Sequence, residues 1–288
     1  MNRKILMILM IFSVFITIGA VSANNMTDDS TTEILSEYDE DTSFTALNAT
    51  INSGMGVIEI TKDYKFNDES DEDFSNGINI TQDNLVINGN NHVIDGNNKS
   101  RIFNISGNGV VINDLIIKNA FNTAITVYGD TTTNNVEFSN CYSNEGSAVY
   151  VYLFSYTSKN DRFINNFAAD IGVIYSLDAT VTFDNGQFIN NSAAEGGVIY
   201  SSDSNLTVNN GFFNGNSASR GAAVSAIRSN VVIADSLMKN HNSNWSSVAV
   251  VYSNATVSNT IFANSTSKYA TAIFGMFGNT TIVNSSFY

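Results

Sequence analysis

Two short stretches of this 288-residue chain recur at a distance of 25 residues. Phe163–Asn166 reads Phe-Ile-Asn-Asn and reappears as Phe188–Asn191, and Gly172–Tyr175 reads Gly-Val-Ile-Tyr and reappears as Gly197–Tyr200. One further shift gives the related stretch Phe213–Asn216. A fixed period of this length is the signature of stacked, similar structural units, so the chain is predicted to fold as a repeat array.

The period can be anchored on the first residue of the short apolar run that follows the glycine. Successive anchors are 23 to 25 residues apart, which gives eight repeats from Ile78 and a partial ninth that ends at Tyr288. Because every anchor is Ile, Val or Ala, the column is predicted to point into a core. The predicted anchors are Ile102, Ile125, Val149, Ile174, Ile199, Val224, Ala249 and Ile273.

Each repeat contains three short apolar patches separated by Asn, Gly, Asp and Ser. Patches of this length that are rich in Val, Ile, Tyr and Phe and bounded by turn formers indicate β-strands. Three strands and three turns in about 24 residues form one coil of a parallel β-helix. Asn tolerates the left-handed conformation, and stacked Asn side chains can form amide ladders. The predicted turn column is Asn119, Asn144, Asn165, Asn190, Asn240 and Asn264.

The first residues predict export. Arg3 and Lys4 precede the apolar run 5–21, and Val21-Ser22-Ala23 offers small residues for cleavage. This pattern predicts a signal peptide at 1–23 and an extracellular or cell-surface protein, the alternative being an uncleaved membrane anchor. Residues 24–43 are acidic and lack a period, which predicts a disordered leader.

Residues 44–77 are predicted to cap the first coil. Phe44, Leu47 and Ile51 are spaced along one face of a short helix, which Thr42 or Ser43 would cap at its N-terminus. The β-helix itself is predicted for residues 78–288, with an incomplete last coil. Exposed strand edges promote association, so self-association through this coil is also expected.

Composition excludes several classes of function. The formal charge of −14 disfavours nucleic acid as a partner, since nucleic-acid binding needs a basic surface. Cys141 is the only cysteine, so neither a disulfide framework nor a cysteine metal cluster can form. No metal, cofactor or catalytic residue is predicted, and no membrane span is expected after signal removal.

Several motifs resemble known β-helix families. Residues 79–119, with Gly89-Asn90-Asn91-His92-Val93-Ile94-Asp95-Gly96, resemble the opening coils of right-handed β-helix proteins of the pectate-lyase type. The Phe-x-x-Asn and Gly-Gly-x-Ile elements resemble the repeats of chlamydial polymorphic outer membrane proteins. With its Asn-rich coils and acidic leader, the chain is most similar to adhesin-like surface proteins of methanogenic archaea. The resemblance implies a right-handed coil and a surface location.

Enzymes of the resembled fold place a basic residue beside acidic ones. One column of this chain reads Glu145, Asp170, Glu195 and Arg220, which resembles a site for calcium and a base in outline and equally an ordinary charged turn. The strongly negative chain would also repel a polyanionic substrate. We therefore predict no enzymatic activity.

Aromatic residues are the candidates for ligand binding. The column one residue past the anchors contains Tyr150, Tyr175 and Tyr200, which point outward as a sugar-binding surface or inward as stacked core. Trp245 and Tyr269 form a second aromatic candidate. These residues favour a secreted, non-catalytic adhesin that binds an extracellular glycan or another cell surface. The alternatives are a polysaccharide lyase or glycoside hydrolase, and a structural spacer of a longer surface protein.

Overall fold

The computed structural model describes residues 41–54 and 56–288. These residues form a parallel β-solenoid of about nine turns with one short α-helix near its start. Each strand pairs in parallel with the equivalent strand of the next turn, as the predicted β-helix requires. The predicted signal peptide at 1–23, and the predicted leader up to residue 40, lie outside the described residues.

Three sheets extend along the described solenoid, and we name them sheets A, B and C. Sheet A contains β1 (Val57–Glu59), β4 (Val86–Asn88), β7 (Val110–Asn113), β10 (Thr131–Asn134), β14 (Ser155–Lys159), β18 (Thr180–Asp184), β22 (Asn205–Asn209), β26 (Asn230–Ala234), β30 (Asn254–Ser258) and β34 (Thr280–Val283). Sheet B contains β2 (Tyr64–Lys65), β5 (Val93–Asp95), β8 (Ile116–Lys118), β11 (Glu137–Ser139), β15 (Arg162–Ile164), β19 (Gln187–Ile189), β23 (Phe212–Asn214), β27 (Leu237–Lys239), β31 (Ile261–Ala263) and β35 (Ser286–Phe287). Sheet C contains β3 (Ile78–Ile80), β6 (Phe103–Ile105), β9 (Ile125–Val127), β13 (Val149–Tyr152), β17 (Ile174–Leu177), β21 (Ile199–Ser202), β25 (Val224–Ile227), β29 (Val248–Val251) and β33 (Ile273–Met276).

A fourth sheet, sheet D, adds one strand to the predicted three in the later coils. It begins only at residue 142, where the turn between sheets B and C becomes long enough to pair with its neighbour in the next coil. Serine, alanine and asparagine dominate its later strands, which is why the sequence reads as a turn there. Sheet D contains β12 (Tyr142–Glu145), β16 (Phe167–Ile171), β20 (Ser192–Glu195), β24 (Ser217–Ala218), β28 (Asn242–Ser243) and β32 (Thr266–Ser267).

The predicted capping helix is α1 (Phe44–Asn52). The Ser43 hydroxyl accepts the Ala46 N–H at 3.2 Å, and the buried Asp71 carboxylate accepts the N–H groups of Phe44 and Thr45 at 2.9 Å each. An acidic group at a helix N-terminus satisfies free donors and favours the helix dipole. A 3-10 helix spans Glu72–Phe74.

The predicted boundary between cap and solenoid at residue 78 is wrong. Strand β1 pairs with β4 in sheet A, and β2 pairs with β5 in sheet B. The first coil therefore starts at Val57, inside the predicted cap. The irregular acidic loop that follows, around Asp68–Asp73, hid this coil from the periodicity of the sequence.

The anchor column points into the core, as predicted, but two anchors are one residue out of register. Ile174 and Ile199 pair directly and are both fully buried. The residues that pair in this column are Phe103 rather than Ile102, and Val248 rather than Ala249. At both places two adjacent residues are apolar and buried, so hydrophobicity could not fix the register.

Stacked aromatic rings fill the core beside sheet B. Phe163 lies between Phe138 and Phe188, with centroid distances of 5.0 and 5.2 Å and nearly parallel rings, and Phe188 stacks on Phe213 at 4.3 Å. Phe183 from sheet A packs edge-on against Phe188 at 5.4 Å. Because each ring is fully buried, this stack ties four successive coils together.

The predicted asparagine column does form left-handed turns. Asn165 and Asn190 have φ of 54° and 53°, and Asn119, Asn240 and Asn264 are similar. Asn144 was wrongly included, since the equivalent turn residue is Asn140 with φ of 54°.

The amide ladder is formed by the following residue of each turn. The Asn166 N–H donates to Asn191 Oδ1 at 3.0 Å, and the Asn191 N–H donates to Asn216 Oδ1 at 2.8 Å. The Nδ2 groups of these side chains donate to backbone carbonyls at 2.8–2.9 Å. These buried polar groups are therefore paired, which removes the cost of burying them.

His241 takes the next position of this ladder. Its Nδ1 accepts the Asn216 N–H at 3.2 Å, while Nε2 is buried without a partner among the described residues. Burial lowers the pKa of the His241 imidazole to about 4. The pKa of His241 is lower in the folded state than in the unfolded state. Its contribution to the free energy of unfolding is therefore complete above pH 6.5 and is lost as the pH falls towards 4.

We expect His241→Asn to stabilise the protein by about 1 kcal/mol at pH 7, because an amide can continue the ladder and pair its donor. The variant should also lose the part of acid sensitivity that His241 contributes between pH 6.5 and 4. Urea unfolding at pH 7 and pH 5 measures both effects. A variant that is less stable at pH 7, with an unchanged acid response, would contradict this account.

No helix among the described residues is both long enough and apolar enough to span a bilayer. In the last coil, Ile282 and Phe287 are 45% and 47% exposed. The predicted self-association through this coil is not tested by these exposures and stays a prediction.

Candidate functional site

The tyrosine column lies on the outer face of sheet C. Along β13, Val149 and Val151 are fully buried, whereas Tyr150 and Tyr152 alternate with them and are partly exposed. Tyr150 pairs with Tyr175, and Tyr175 pairs with Tyr200. Three successive coils therefore each place one tyrosine at the same position of sheet C. Of the two orientations that the sequence left open, the structure has the outward one. We call Tyr150, Tyr175 and Tyr200 the tyrosine row.

The rings of the tyrosine row pack against one another. Tyr175 meets Tyr150 at 5.2 Å and Tyr200 at 5.6 Å between centroids, both edge-on at 76°. Tyr200 is only 8% exposed, so Tyr150 and Tyr175 present most of the accessible surface. Neighbouring rings therefore cover one another edge to face, and the row does not present three fully open ring faces.

Burial gives these phenols a defined protonation state. Desolvation raises the pKa of all three hydroxyls, and that of Tyr175 reaches about 12, with neighbouring Tyr150 and Glu145 adding to the shift. The hydroxyls therefore stay protonated at neutral pH. Each can donate one hydrogen bond and accept others, as binding of a hydroxylated ligand requires.

The glycines of the repeat let the backbone approach the tyrosine row. Gly172 and Gly196 have φ of 43° and 60°, and a Cβ on either would lie 2.8 Å from the Tyr200 Cβ. Only glycine fits a left-handed backbone this close to a neighbouring side chain. The turn between sheets D and C thus borders the row on one side.

Trp245 and Tyr269 lie further along the same face. The Trp245 ring contacts Phe274 at 5.0 Å, and Phe274 belongs to the outward column that contains the tyrosine row. The Arg220 guanidinium lies 5.2 Å from the Trp245 ring centroid. Tyr269 is 65% exposed and 6.3 Å from Trp245. The structure therefore brings all five predicted residues to one face, with Trp245 partly covered.

The predicted column of three acids and an arginine assembles only in part, because Asp170 is out of register. Ile171, not Asp170, pairs with Glu145 on one side and Glu195 on the other, because a bulge shifts the register of sheet D. Arg220 forms an ion pair with Glu195, bridges to it in the backbone, and lies over Trp245. Its guanidinium therefore pairs with Glu195 and Trp245, although its Nε is buried without a hydrogen-bond partner among the described residues.

A cavity of about 350 Å³ lies beside Tyr150 and was not predicted from the sequence. It contains the guanidinium-bearing residue Arg101, the carboxylates of Glu145 and Asp170, and the rings of Tyr128 and Tyr150. Hydroxyl and amide groups complete the lining, from Asn122, Thr123, Thr126, Ser143 and Asn144. We call it the Arg101 cavity.

Arg101 differs from the other arginines of the described residues. Arg162, Arg220 and Arg228 each form an ion pair with a carboxylate, whereas Arg101 forms none. Its Nε, like that of Arg220, is buried and lacks a hydrogen-bond partner within residues 41–54 and 56–288, so the missing ion pair is the difference. The enclosed Nε cannot itself reach a ligand, so contact would come from the terminal nitrogens of the guanidinium, for which no carboxylate of the described residues competes.

The Arg101 cavity lies at a change in coil length. From Phe103 to Ile125 the chain takes 22 residues per turn, whereas from Val149 to Ile174 it takes 25. The longer coils carry sheet D and extend beyond the shorter coil beside them. Four successive coils supply the lining, and their residues stand at different offsets within the repeat, so periodicity alone could not find them.

The fold and the site define a parallel β-solenoid with an aromatic outer face and an adjoining polar cavity. No family model and no curated protein matches the chain. Among solved structures, the A-module of mannuronan C-5 epimerase AlgE6 of Azotobacter vinelandii matches at 11% identity and a TM-score of 0.29, covering 85% of this chain and 93% of that chain. The surface protein and adhesin PfbA of Streptococcus pneumoniae matches at 12% identity and a TM-score of 0.24, covering 84% and 91%.

Proposed function

We propose that this protein is a secreted or cell-surface, adhesin-like β-solenoid that binds carbohydrate on the outer face of sheet C and does not catalyse a reaction. The observation that carries the proposal is the tyrosine row, which runs into a polar cavity lined by hydroxyl, amide and charged groups. Aromatic rings offer apolar contact to the C–H faces of sugars, and tyrosine hydroxyls add hydrogen bonds. An extracellular glycan or another cell surface is the proposed partner.

A polysaccharide-acting enzyme is the second candidate, and the Arg101 cavity is the observation that favours it. A basic group, two carboxylates and two phenols in one cavity are residue types that general acid–base catalysis uses. The carboxylates of Glu145 and Asp170 belong to exposed residues, however. The Arg101 cavity therefore offers the residue types of a catalytic site without enclosing either carboxylate-bearing residue.

Glycan binding and turnover can be measured together. The purified protein would be applied to a panel of neutral and acidic polysaccharides, with ultraviolet absorbance following unsaturated lyase products and reducing ends following hydrolysis. Retention of a glycan without new products supports the proposal. Product formation supports the enzyme, and the absence of both supports a structural spacer.

Replacement of the two accessible tyrosines tests the site. We expect Tyr150→Ser and Tyr175→Ser each to weaken glycan binding about tenfold or more, since one lost contact worth about 1.4 kcal/mol gives a factor of ten. Titration calorimetry or retention on the bound polysaccharide gives the affinity.

Tyr252→Ser is the matched control for these variants. Tyr252 is 58% exposed and stacks on Phe277 at 4.8 Å, away from the tyrosine row. Its replacement should leave the affinity unchanged. Equal losses in all three variants, or full binding by the two row variants with intact folding, would remove the tyrosine row as the binding site.

A further inference from the structure

We infer that the Arg101 cavity is the end subsite of the glycan-binding face and accepts an uncharged sugar ring in preference to a uronate. The inference rests on the proposed carbohydrate binding and specifies its ligand. It follows from three observations: where the tyrosine row ends, which charges remain unpaired, and which hydrogen-bonding groups face the cavity.

The tyrosine row ends at the cavity. On the side towards the N-terminus, Tyr150 pairs with Thr126, which is 2% exposed, and Thr126 pairs with Asn104. The outward column therefore carries no aromatic ring beyond Tyr150 in this direction. A glycan that lies along the row would place its terminal ring in the cavity, where Tyr150 lines one part and Tyr128 another.

The unpaired charges near the cavity favour a neutral ligand. Along the face, Arg220 is neutralised by Glu195, and Arg228 by Asp203. The residues that line the cavity include one cation, Arg101, and two carboxylates, Glu145 and Asp170, neither of which forms an ion pair with a described residue. A uronate would gain one contact with Arg101 and meet repulsion from two carboxylates and from a chain of net charge −14.

The same groups suit the hydroxyls of a sugar. The terminal nitrogens of the Arg101 guanidinium offer donors in a plane, and no carboxylate of the described residues forms an ion pair with them. The carboxylates of Glu145 and Asp170 can accept from sugar hydroxyls, which are donors that a uronate carboxylate lacks. Hydrogen-bond donors and acceptors therefore both surround the cavity, and its volume falls within the usual range for small ligands.

The test compares each neutral glycan with its own C6-oxidised derivative, so that linkage and length stay constant. An oligosaccharide array would present both forms, and bound pairs would be measured by calorimetry at low and high salt. We expect the neutral form to bind at least tenfold more tightly, and the difference to shrink at high salt because salt screens the repulsion.

Three variants separate the effect of charge from that of the planar donors of Arg101. Glu145→Gln with Asp170→Asn removes both negative charges and should bring the affinity for the oxidised form to within about threefold of that for the neutral form. Glu69→Gln with Asp73→Asn makes the same charge change at exposed residues of the segment between β2 and β3, so it is the control and should keep the original preference. Arg101→Lys keeps the cation but loses the planar donors, and should weaken neutral binding about tenfold.

The outcomes are distinct. Tighter binding of the oxidised glycans by the unmodified protein would overturn the inference and leave carbohydrate binding intact. An unchanged preference in the Glu145 and Asp170 double variant would do the same. Failure of every glycan in both forms to bind would count against the proposed function itself, and with it the subsite.

Discussion

Replacing Phe188 with alanine is expected to destabilise the protein by about 3–5 kcal/mol, which is the usual cost of removing a buried phenylalanine ring. Phe188 is fully buried between Phe163 and Phe213 and contacts Phe183 from the opposite sheet. Its removal would leave a cavity bounded by three rings whose positions are fixed by the backbone of neighbouring coils. Such a rigid environment cannot collapse into the space, so the cost should lie at the upper end.

Phe167→Ala in the neighbouring coil is the control. Phe167 is 45% exposed and stacks only on Tyr142, at 5.7 Å. Urea unfolding of both variants should show a small change for Phe167 and a large one for Phe188. Equal losses would mean that the stack of rings does not dominate the stability of the central coils.

Asp161→Asn is expected to stabilise the protein at neutral pH, with a pH dependence opposite to that of His241. The Asp161 carboxylate is fully buried, and it accepts the Val136 N–H at 2.7 Å and the hydroxyls of Thr133 and Ser158. Burial raises the pKa of this carboxyl to about 6, although the hydrogen bonds oppose the shift.

The direction in which Asp161 changes the stability with pH follows from proton binding. Because the folded pKa exceeds the unfolded value of 3.8, the folded state holds more protons between pH 4 and 6. The contribution of Asp161 to the free energy of unfolding therefore falls across this range, by about 2–3 kcal/mol for a shift of roughly two units. An amide resembles the protonated carboxyl, since it still accepts from Val136 and can donate to a hydroxyl that rotates.

The measurement is the difference between Asp161→Asn and the unmodified protein in urea unfolding at pH 4.5 and pH 7.5. The variant should be more stable at pH 7.5, and the difference should shrink at pH 4.5. Asp170→Asn in the same region changes an exposed carboxyl and serves as the control. A difference that is constant with pH would show that Asp161 is not buried in its charged form.

The repeat predicted the fold because stacked coils place the same residue type at the same point of every turn. The spacing of Ile174 and Ile199 sufficed to identify a buried column, and the repeated stretches that contain Phe163, Phe188 and Phe213 revealed the period. The register was lost where adjacent apolar residues made two frames equivalent, at Ile102 and Ala249. It was also lost in the first coil, where a long acidic loop interrupts the period.

The candidate site was only partly predictable, for a physical reason. Tyr150, Tyr175 and Tyr200 share one column, so their proximity followed from the period, but their orientation required the structure. The Arg101 cavity arises where a coil is short, and its residues occupy different columns. The repeat in the sequence locates residues that recur at a fixed spacing, whereas the residues of this cavity come together because one coil is shorter than its neighbours.

Several buried turns have a backbone N–H that is satisfied by a side chain of the next coil. The Asn166 N–H is satisfied by Asn191 of the next coil, the Ser204 N–H by Ser229, and the Gly211 N–H by Ser236. Each of these turns is therefore completed by residues that leave the ribosome about 25 positions later. During synthesis, each newly formed coil would supply the hydrogen-bond acceptors for these turns of the coil before it. Its own turn N–H groups would stay unpaired until the next coil forms.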